Sequence, residues 1–493
     1  MYIFFVYQTQ QSFGGQKNIH LSTFFGQKSF FLSAATHNKI FFFLHGDRMS
    51  SSPFKKKVLI VGNCKIFLFN FVGYSIQMKY LFDIFDSLGF ELGNYVLCYS
   101  LNNGKDPTHA YSYNDIMSFH KLELSTDPVL QKINYYSNQD GGNTINMPML
   151  NKLCREQDYG LVIMLGDLLY FSSQKEKFEV PSMFWYPCHY LPMNTMDAHG
   201  LGFFDIILSL SPSIKVDIEK KFPDKKVYYL PHIYEDDAPK KFNKKELREK
   251  WGLPTDRFIF YINASLYEDQ NRKAIDNQIL AFKKVYDKYP EAFLLIHSSC
   301  KKKNEAEVMI KQEFPMNLFL DLLKLGPEAV MWHTDILEKA ELSEFYLLAD
   351  AFSQCSKSEG FGIPIVEAQN YDLAVISTDF LSMKEHNMQD WTVPYATMEY
   401  NYYQDGRWAV PSTEGLFQMY EKILLTRNDP EVHAKIKLSN HRIKKLTDKN
   451  AITQKMVRIV TDIEKEAIKA ASVSSATETV VSTVVSTAIE TAN

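Results

Sequence analysis

A chain of 493 residues exceeds what one hydrophobic core usually covers, so two globular domains with tails are expected. Apolar residues make up 45% and charged residues 23%, and the net charge of -4 excludes a general nucleic-acid binder, which needs a basic surplus. The six cysteines, at 64, 98, 154, 188, 300 and 355, form no C-x-x-C pair and no group with histidine, which excludes a zinc ribbon and a disulfide framework and points to a reducing, cytoplasmic setting.

No stretch nears the roughly 18 to 20 apolar residues of a membrane span, and the Phe-rich patches at 3–6 and 40–44 are far too short. Residues 1–48 have no basic start followed by an apolar run, so no secretory signal is read there. They lack periodicity as well, and are expected to be a disordered extension or to precede the true start at Met49. The run 58–62 then reads as a buried parallel strand. Ile76, Tyr80, Leu81, Ile84, Phe85 and Leu88 recur at helical spacing until Gly89 stops the helix. Strand-like runs follow at 95–99, 161–165, 182–186, 205–209 and 227–230, with helical segments between most of them. Such alternation predicts a parallel sheet with helices on both faces.

The polar, proline-containing stretch 234–243 reads as a linker. A second α/β run has strands at 258–262, 293–296, 329–332, 351–353 and 374–377, with a helix over 279–289. The predicted organisation is therefore an N-terminal Rossmann-like domain over 49–235, a C-terminal one over 244–430 and helices over 431–465. From about 466 the Ala, Ser, Thr and Val repeats have little to bury and are expected to be disordered to 493.

Three places can carry chemistry. His189 follows the apolar strand 182–186, so it is either a core residue or one that emerges into a cleft. Arg272 and Lys273 stand between the strand 258–262 and the next helix, at the edge where open α/β sheets bind ligands. Two cations at a helix start oppose its dipole; a diphosphate met by an exposed pair in a cleft would account for them, a solvated charge pair being the alternative. In Ser358-Glu359-Gly360-Phe361-Gly362-Ile363-Pro364-Ile365-Val366-Glu367, two glycines lead into a helix start. Free amides there favour an anion, and the two carboxylates can accept sugar hydroxyls. An ordinary tight turn with a dipole-complementing Glu367 is the alternative.

This last stretch resembles the E-x7-E signature of retaining GT-B glycosyltransferases of the family 4 type, with Glu359 and Glu367 as the two glutamates. The resemblance implies a GT-B fold: two Rossmann-like, doubly wound domains facing a cleft. It implies that Glu367 holds the ribose of a nucleotide-sugar, that Glu359 lies by the donor sugar, and that the backbone of Gly360, Phe361, Gly362 and Ile363 meets the sugar hydroxyls and diphosphate. By the same resemblance Arg272 and Lys273 read the diphosphate, His189 stands beside the donor sugar, and Gly73 belongs to a loop over the donor phosphates. Lys384-Glu385-His386, after the strand 374–377, is expected to be a solvated loop, the alternative by the same resemblance being that its acidic residue reaches the nucleotide side. The family's Gly-Arg at the preceding strand end is Ile262-Asn263 here.

These readings predict an enzyme that moves a sugar from a nucleoside-diphosphate sugar to a hydroxyl of a glycan, lipid or protein, with retention and without a metal or other cofactor. The alternative is a non-catalytic sugar-nucleotide binder or structural protein of the same fold. A dinucleotide-dependent oxidoreductase is disfavoured because no G-x-G-x-x-G follows the strand 58–62. A glycoside hydrolase using Glu359 and Glu367 is disfavoured by the Arg-Lys pair, which suits a phosphate.

Overall fold

The computed structural model describes residues 54–62, 73–97, 108–120, 127–137, 145–171, 173–235, 242–266, 269–301, 314–402 and 405–491. The chain divides into Met1–Ser52, which lies outside the described residues together with the expectation for 1–48, and Pro53–Asn493. Part of the expected linker, 236–241, also lies outside them.

The first sheet has seven parallel strands: β1 (Lys57–Gly62), β2 (Glu91–Val96), β3 (Asn134–Ser137), β4 (Leu161–Leu165), β5 (Ser182–Tyr186), β6 (Ile206–Ser209) and β7 (Lys226–Tyr229), in the order β3-β2-β1-β4-β5-β6-β7. β1 shows why an unbroken apolar run makes a central strand. Val58 and Ile60 enter the core on one face of the sheet and Leu59 and Val61 the core on the other, so both faces are apolar. The second sheet holds β8 (Phe258–Asn263), β9 (Ala292–Lys301), β10 (Val330–Asp335), β11 (Ala351–Gln354), β12 (Ala374–Thr378) and β13 (Thr392–Val393), in the order β10-β9-β8-β11-β12-β13. A hairpin, β14 (Tyr395–Asn401) with β15 (Gly406–Pro411), follows. In each sheet the winding direction reverses once, between β1 and β4 and between β8 and β11. Loops diverge at the C-terminal ends of such neighbours and leave a crevice.

Four features differ from the sequence reading. β2 begins at Glu91, not at 95, and includes Gly93 and Asn94. Gly93 is there because a Cβ would stand 2.1 Å from Tyr159 Oη, and buried Asn94 donates to Ile60 O at 3.0 Å. Two short segments, β3 and the β14–β15 hairpin, are not among the expected strands: β3 is only four residues long, and the hairpin mixes polar and apolar residues without a bare apolar run. Finally, the expected disordered tail is part of one helix, Lys449–Thr491. Its first half anchors it, with Ile452, Met456, Ile459, Val460 and Ile463 packed in the same core as Val58 and Ile60, and helix extension from an anchored turn is inexpensive. The chain thus returns from the second sheet to cover the first.

Candidate active site

The β8 and β11 switch point carries a cluster of charge. Between β8 and the helix Ile275–Lys288 the backbone takes left-handed values at Gln270 (φ 61°), Asn271 (φ 49°) and Ala274 (φ 45°). Strain of this kind concentrates at ligand sites. It turns Arg272 and Lys273 toward the loop after β11, where Glu359 waits. Arg272 Nη1 donates to Glu359 Oε2 at 2.9 Å and to Ser358 O at 2.6 Å, and Lys273 Nζ donates to Glu359 Oε1 at 2.8 Å. Gln354 Nε2 and Ser356 Oγ complete the shell of Oε1 at 2.8 and 2.6 Å. Burial would raise the Glu359 carboxyl, but Arg272 and Lys273, with hydrogen bonds from Lys273 and Ser356, hold it well below the usual carboxylate range. The pair is not exposed in a cleft, as its charge suggested: the Arg272 and Lys273 side chains are 12% and 11% exposed. Two buried cations need a buried anion, and Glu359 is that anion.

Glu367 lies apart from this cluster. It is the fifth residue of the helix Ile363–Asn370, not a first-turn acid, because Gly362 (φ 80°) is the N-cap and Pro364 the second helical residue. Tyr346 Oη donates to Glu367 Oε2 at 2.7 Å, and Asn263 Nδ2 donates to Tyr346 Oη at 3.2 Å. Asn263, the departure from the family's strand end, thus orients the tyrosine that orients Glu367. Burial raises the Glu367 carboxyl, with Tyr346 and Lys339 opposing it.

The other candidates line the facing loops. A Cβ on Gly73, at the start of the helix Gly73–Ser87, would come within 2.8 Å of Ile363 Cδ1, so the two loops touch; residues 63–72 before it lie outside the described residues. His189 is half-buried, and its carbonyl accepts from Ser358 Oγ at 2.5 Å, which ties it to the residue before Glu359. Phe361 faces away from the crevice, packed between His232 and His386, and its carbonyl accepts from His386 Nδ1 at 2.8 Å. Glu385 is not in a solvated loop: it accepts from Ser213 N at 2.9 Å and from Ser211 Oγ, capping the helix Pro212–Lys221 of the first domain.

At Gly360 a Cβ would meet Pro187 Cβ at 2.8 Å and the Pro187 carbonyl carbon at 3.1 Å. Backbone cannot yield as a side chain can, so Gly360→Ala is expected to lower stability by about 1 to 3 kcal/mol by forcing the domains apart. Urea denaturation of the variant checks this, an unchanged midpoint being the contrary result.

Sequence reasoning missed several participants. Tyr346 is an apolar-face residue of a helix by pattern, Lys339–Leu348, and only the fold brings it to Glu367. Lys357 lies two positions before Glu359; its Nζ donates to Gln270 O at 2.8 Å and pairs with Glu399 of β14, which binds the hairpin to the loop. Asp167 and Asp197 share a small pocket with His189, Tyr186 and Pro187 at the ends of β4 and β5. The Gly166-Asp167 step after an apolar strand was the available signal.

Burial raises the Asp197 carboxyl to about 6, with the Tyr186 hydroxyl, which donates at 2.5 Å, opposing and the charge of Asp167 reinforcing it. An unfolded aspartate titrates near ~3.9, so between that value and about 6 the folded chain binds more protons than the unfolded one. Stability from this group therefore falls as pH rises through that window. Asp197→Asn should melt progressively higher than the wild type as pH goes from 4 to 7, which parallel melting curves will show. A constant gap would contradict it.

Among the described residues no group of three or more His, Cys, Asp or Glu side chains could hold a metal ion. No helix among them is long and apolar enough to cross a membrane.

Comparison with known proteins places this geometry. Seen by fold, the chain superposes on the sucrose-phosphate synthase of Thermosynechococcus elongatus with a TM-score of 0.58 at 14% identity, covering 83% of this chain and 99% of that one. It also superposes on the HepE protein of Anabaena, solved in complex with UDP and glucose, with a TM-score of 0.56 at 13% identity, covering 82% and 99%. The fold is GT-B. Within it, residues 243–391 match the family described as Glycosyl transferases group 1, and this GT-B segment contains Arg272, Lys273, Glu359 and Glu367. An uncharacterized glycosyltransferase of Methanocaldococcus jannaschii is 26% identical over 181 residues, which is 36% of this chain and 40% of that relative.

Proposed function

We propose that this protein is a retaining, metal-independent glycosyltransferase that moves a sugar from a nucleoside-diphosphate sugar to an acceptor hydroxyl. The observation that carries the reading is the Arg272–Glu359–Lys273 cluster at the β8/β11 switch point, inside the segment that matches glycosyl transferases group 1. When the sugar leaves, negative charge builds on the nucleoside diphosphate. Lys273 keeps ammonium donors beyond the one given to Glu359, and the planar guanidinium of Arg272 beside it carries a permanent positive charge, so both stand where they can meet that charge. Glu359 holds the two cations in place while the diphosphate is absent. The amides of Gly360 to Ile363 line the same hollow, Glu367 takes the ribose hydroxyls with Tyr346 orienting it, and His189, tied to Ser358, borders the sugar. Gly73 closes on Ile363 from the first domain. The HepE structure holds UDP and glucose, which supports a uridine donor. Cys154, Cys188 and Cys355 are free and buried, in keeping with a reducing, cytoplasmic location.

A non-catalytic reading draws on one observation, that both cations already have a partner. Calorimetry with UDP-glucose, GDP-mannose and ADP-glucose tests the first reading. One of them is expected to bind, and Glu367→Ala to weaken that binding about tenfold by removing a charged acceptor. Failure of every donor to bind, or an unchanged dissociation constant in the variant, would overturn the donor site. Slow release of free sugar from the bound donor separates an enzyme from a binder.

A further inference from the structure

A groove of about 870 Å³ opens between the domains at the C-terminal end of β12, two strands along from β8. That volume lies in the range of small-molecule sites, about 300 to 1,000 Å³. Leu191 forms its wall from the first domain, and Phe380, Met388, Tyr395 and Met398 form it from the second. Its floor is the helix Leu381–His386, whose Ser382 Oγ donates to Glu359 O at 2.7 Å. A molecule lying there is therefore one helix away from the loop that holds Glu359.

The six charges lining the groove, three cations and three carboxylates, sum to zero but are unevenly engaged. Asp379 pairs with Lys384 at 2.7 Å, and Glu385 is engaged by Ser211 and Ser213. Asp390 is exposed on a turn. Arg407 and Arg442, both exposed, line the groove and make no ion pair with any carboxylate among the described residues. A guanidinium presents a planar fork suited to a phosphate or carboxylate. Two such forks beside an apolar wall match a molecule with an apolar stem and an anionic head. A neutral glycan would leave both arginines without an anion, and an acidic peptide would leave the Leu191, Phe380 and Met398 wall without an apolar group.

We propose that this groove seats the acceptor, and that the acceptor is an amphipathic anion: a lipid-like stem with a phosphate or carboxylate near the sugar-accepting hydroxyl. This rests on the transferase reading above. The test uses the full chain and dodecyl phosphate below its micelle concentration, titrated by calorimetry. Dodecyl phosphate is expected to bind, and the Arg407→Ala/Arg442→Ala double variant to bind it about tenfold more weakly or worse with an unchanged melting curve, since both side chains are exposed. Dodecanoate distinguishes a carboxylate head from a phosphate one, and binding of either supports the proposal. Dodecyl maltoside, neutral, and inorganic phosphate, with no stem, should both bind far more weakly. Equal binding by wild type and double variant, equal binding of dodecyl maltoside, or tighter binding of a hexa-aspartate peptide overturns the proposal. The nucleotide-sugar titration is run in parallel on the wild type. Its failure with dodecyl phosphate still bound sinks the transferase reading, whereas donor binding without dodecyl phosphate binding sinks the groove.

Discussion

Replacing Glu359 by alanine is expected to cost about 3 to 5 kcal/mol of folding stability, because it removes the buried anion that Arg272 and Lys273 share. Gln354 Nε2 and Ser356 Oγ lose their acceptor in the same step, so the loss is that of a network and not of one pair. Glu359→Gln keeps the volume and one acceptor oxygen, and should fall between alanine and wild type. The acid dependence has a definite sign. The folded carboxyl is held well below its ordinary value, so its stabilising contribution is complete above the unfolded value of about 4.3 and is lost as pH falls through the folded one. Wild type should therefore lose stability on acidification below that point more steeply than Glu359→Gln. Urea denaturation at pH 7 and along an acid series measures both effects; Glu359→Ala with a wild-type midpoint would show that the cluster does not hold the fold.

The sequence makes the two doubly wound sheets legible because their central strands are bare apolar runs. Residues 161–165 and 182–186 coincide with β4 and β5 to the residue. Apolar runs of that kind leave nothing for tertiary context to override. β2 was displaced because Gly93 and Asn94 look like turn residues, and only the approach of Tyr159 and the carbonyl of Ile60 accounts for them. In the site, the spacing from Glu359 to Glu367 placed both glutamates near one helix start, and the structure does put them on that loop and helix. What spacing could not convey is the state of the charges. Arg272, Lys273 and Glu359 lie 86 or 87 positions apart in the chain, and their pairing is a product of the β8–β11 adjacency. The same limit hides Tyr346 from Glu367, and Arg442 from Arg407 in the groove. Helical periodicity reports which face is apolar; it does not report which polar residue of another element meets it.

Arg272→Ala and Lys273→Ala are expected to lower release of sugar from the bound donor by about 100- to 1,000-fold each, since each removes a donor aimed at charge that grows only as the leaving group departs. Their effect on folding should be smaller than that of Glu359→Ala. After either substitution Glu359 retains one cation together with Gln354 and Ser356, so no charge is left without a partner. A loss of about 1 to 3 kcal/mol for the missing charged hydrogen bonds is the expected scale. Arg272→Lys discriminates further. Arg272 Nη1 spans Ser358 O and Glu359 Oε2, and a planar guanidinium matches phosphate oxygens two at a time, whereas a lysine has one compact head to divide among the three. Arg272→Lys should therefore recover most of the stability of the wild type and little of its turnover. Unfolding curves and donor turnover measured on the same preparations decide the matter: full turnover in Arg272→Lys would mean that a point charge suffices, and wild-type turnover in both alanine variants would remove the pair from the chemistry and leave it a part of the fold.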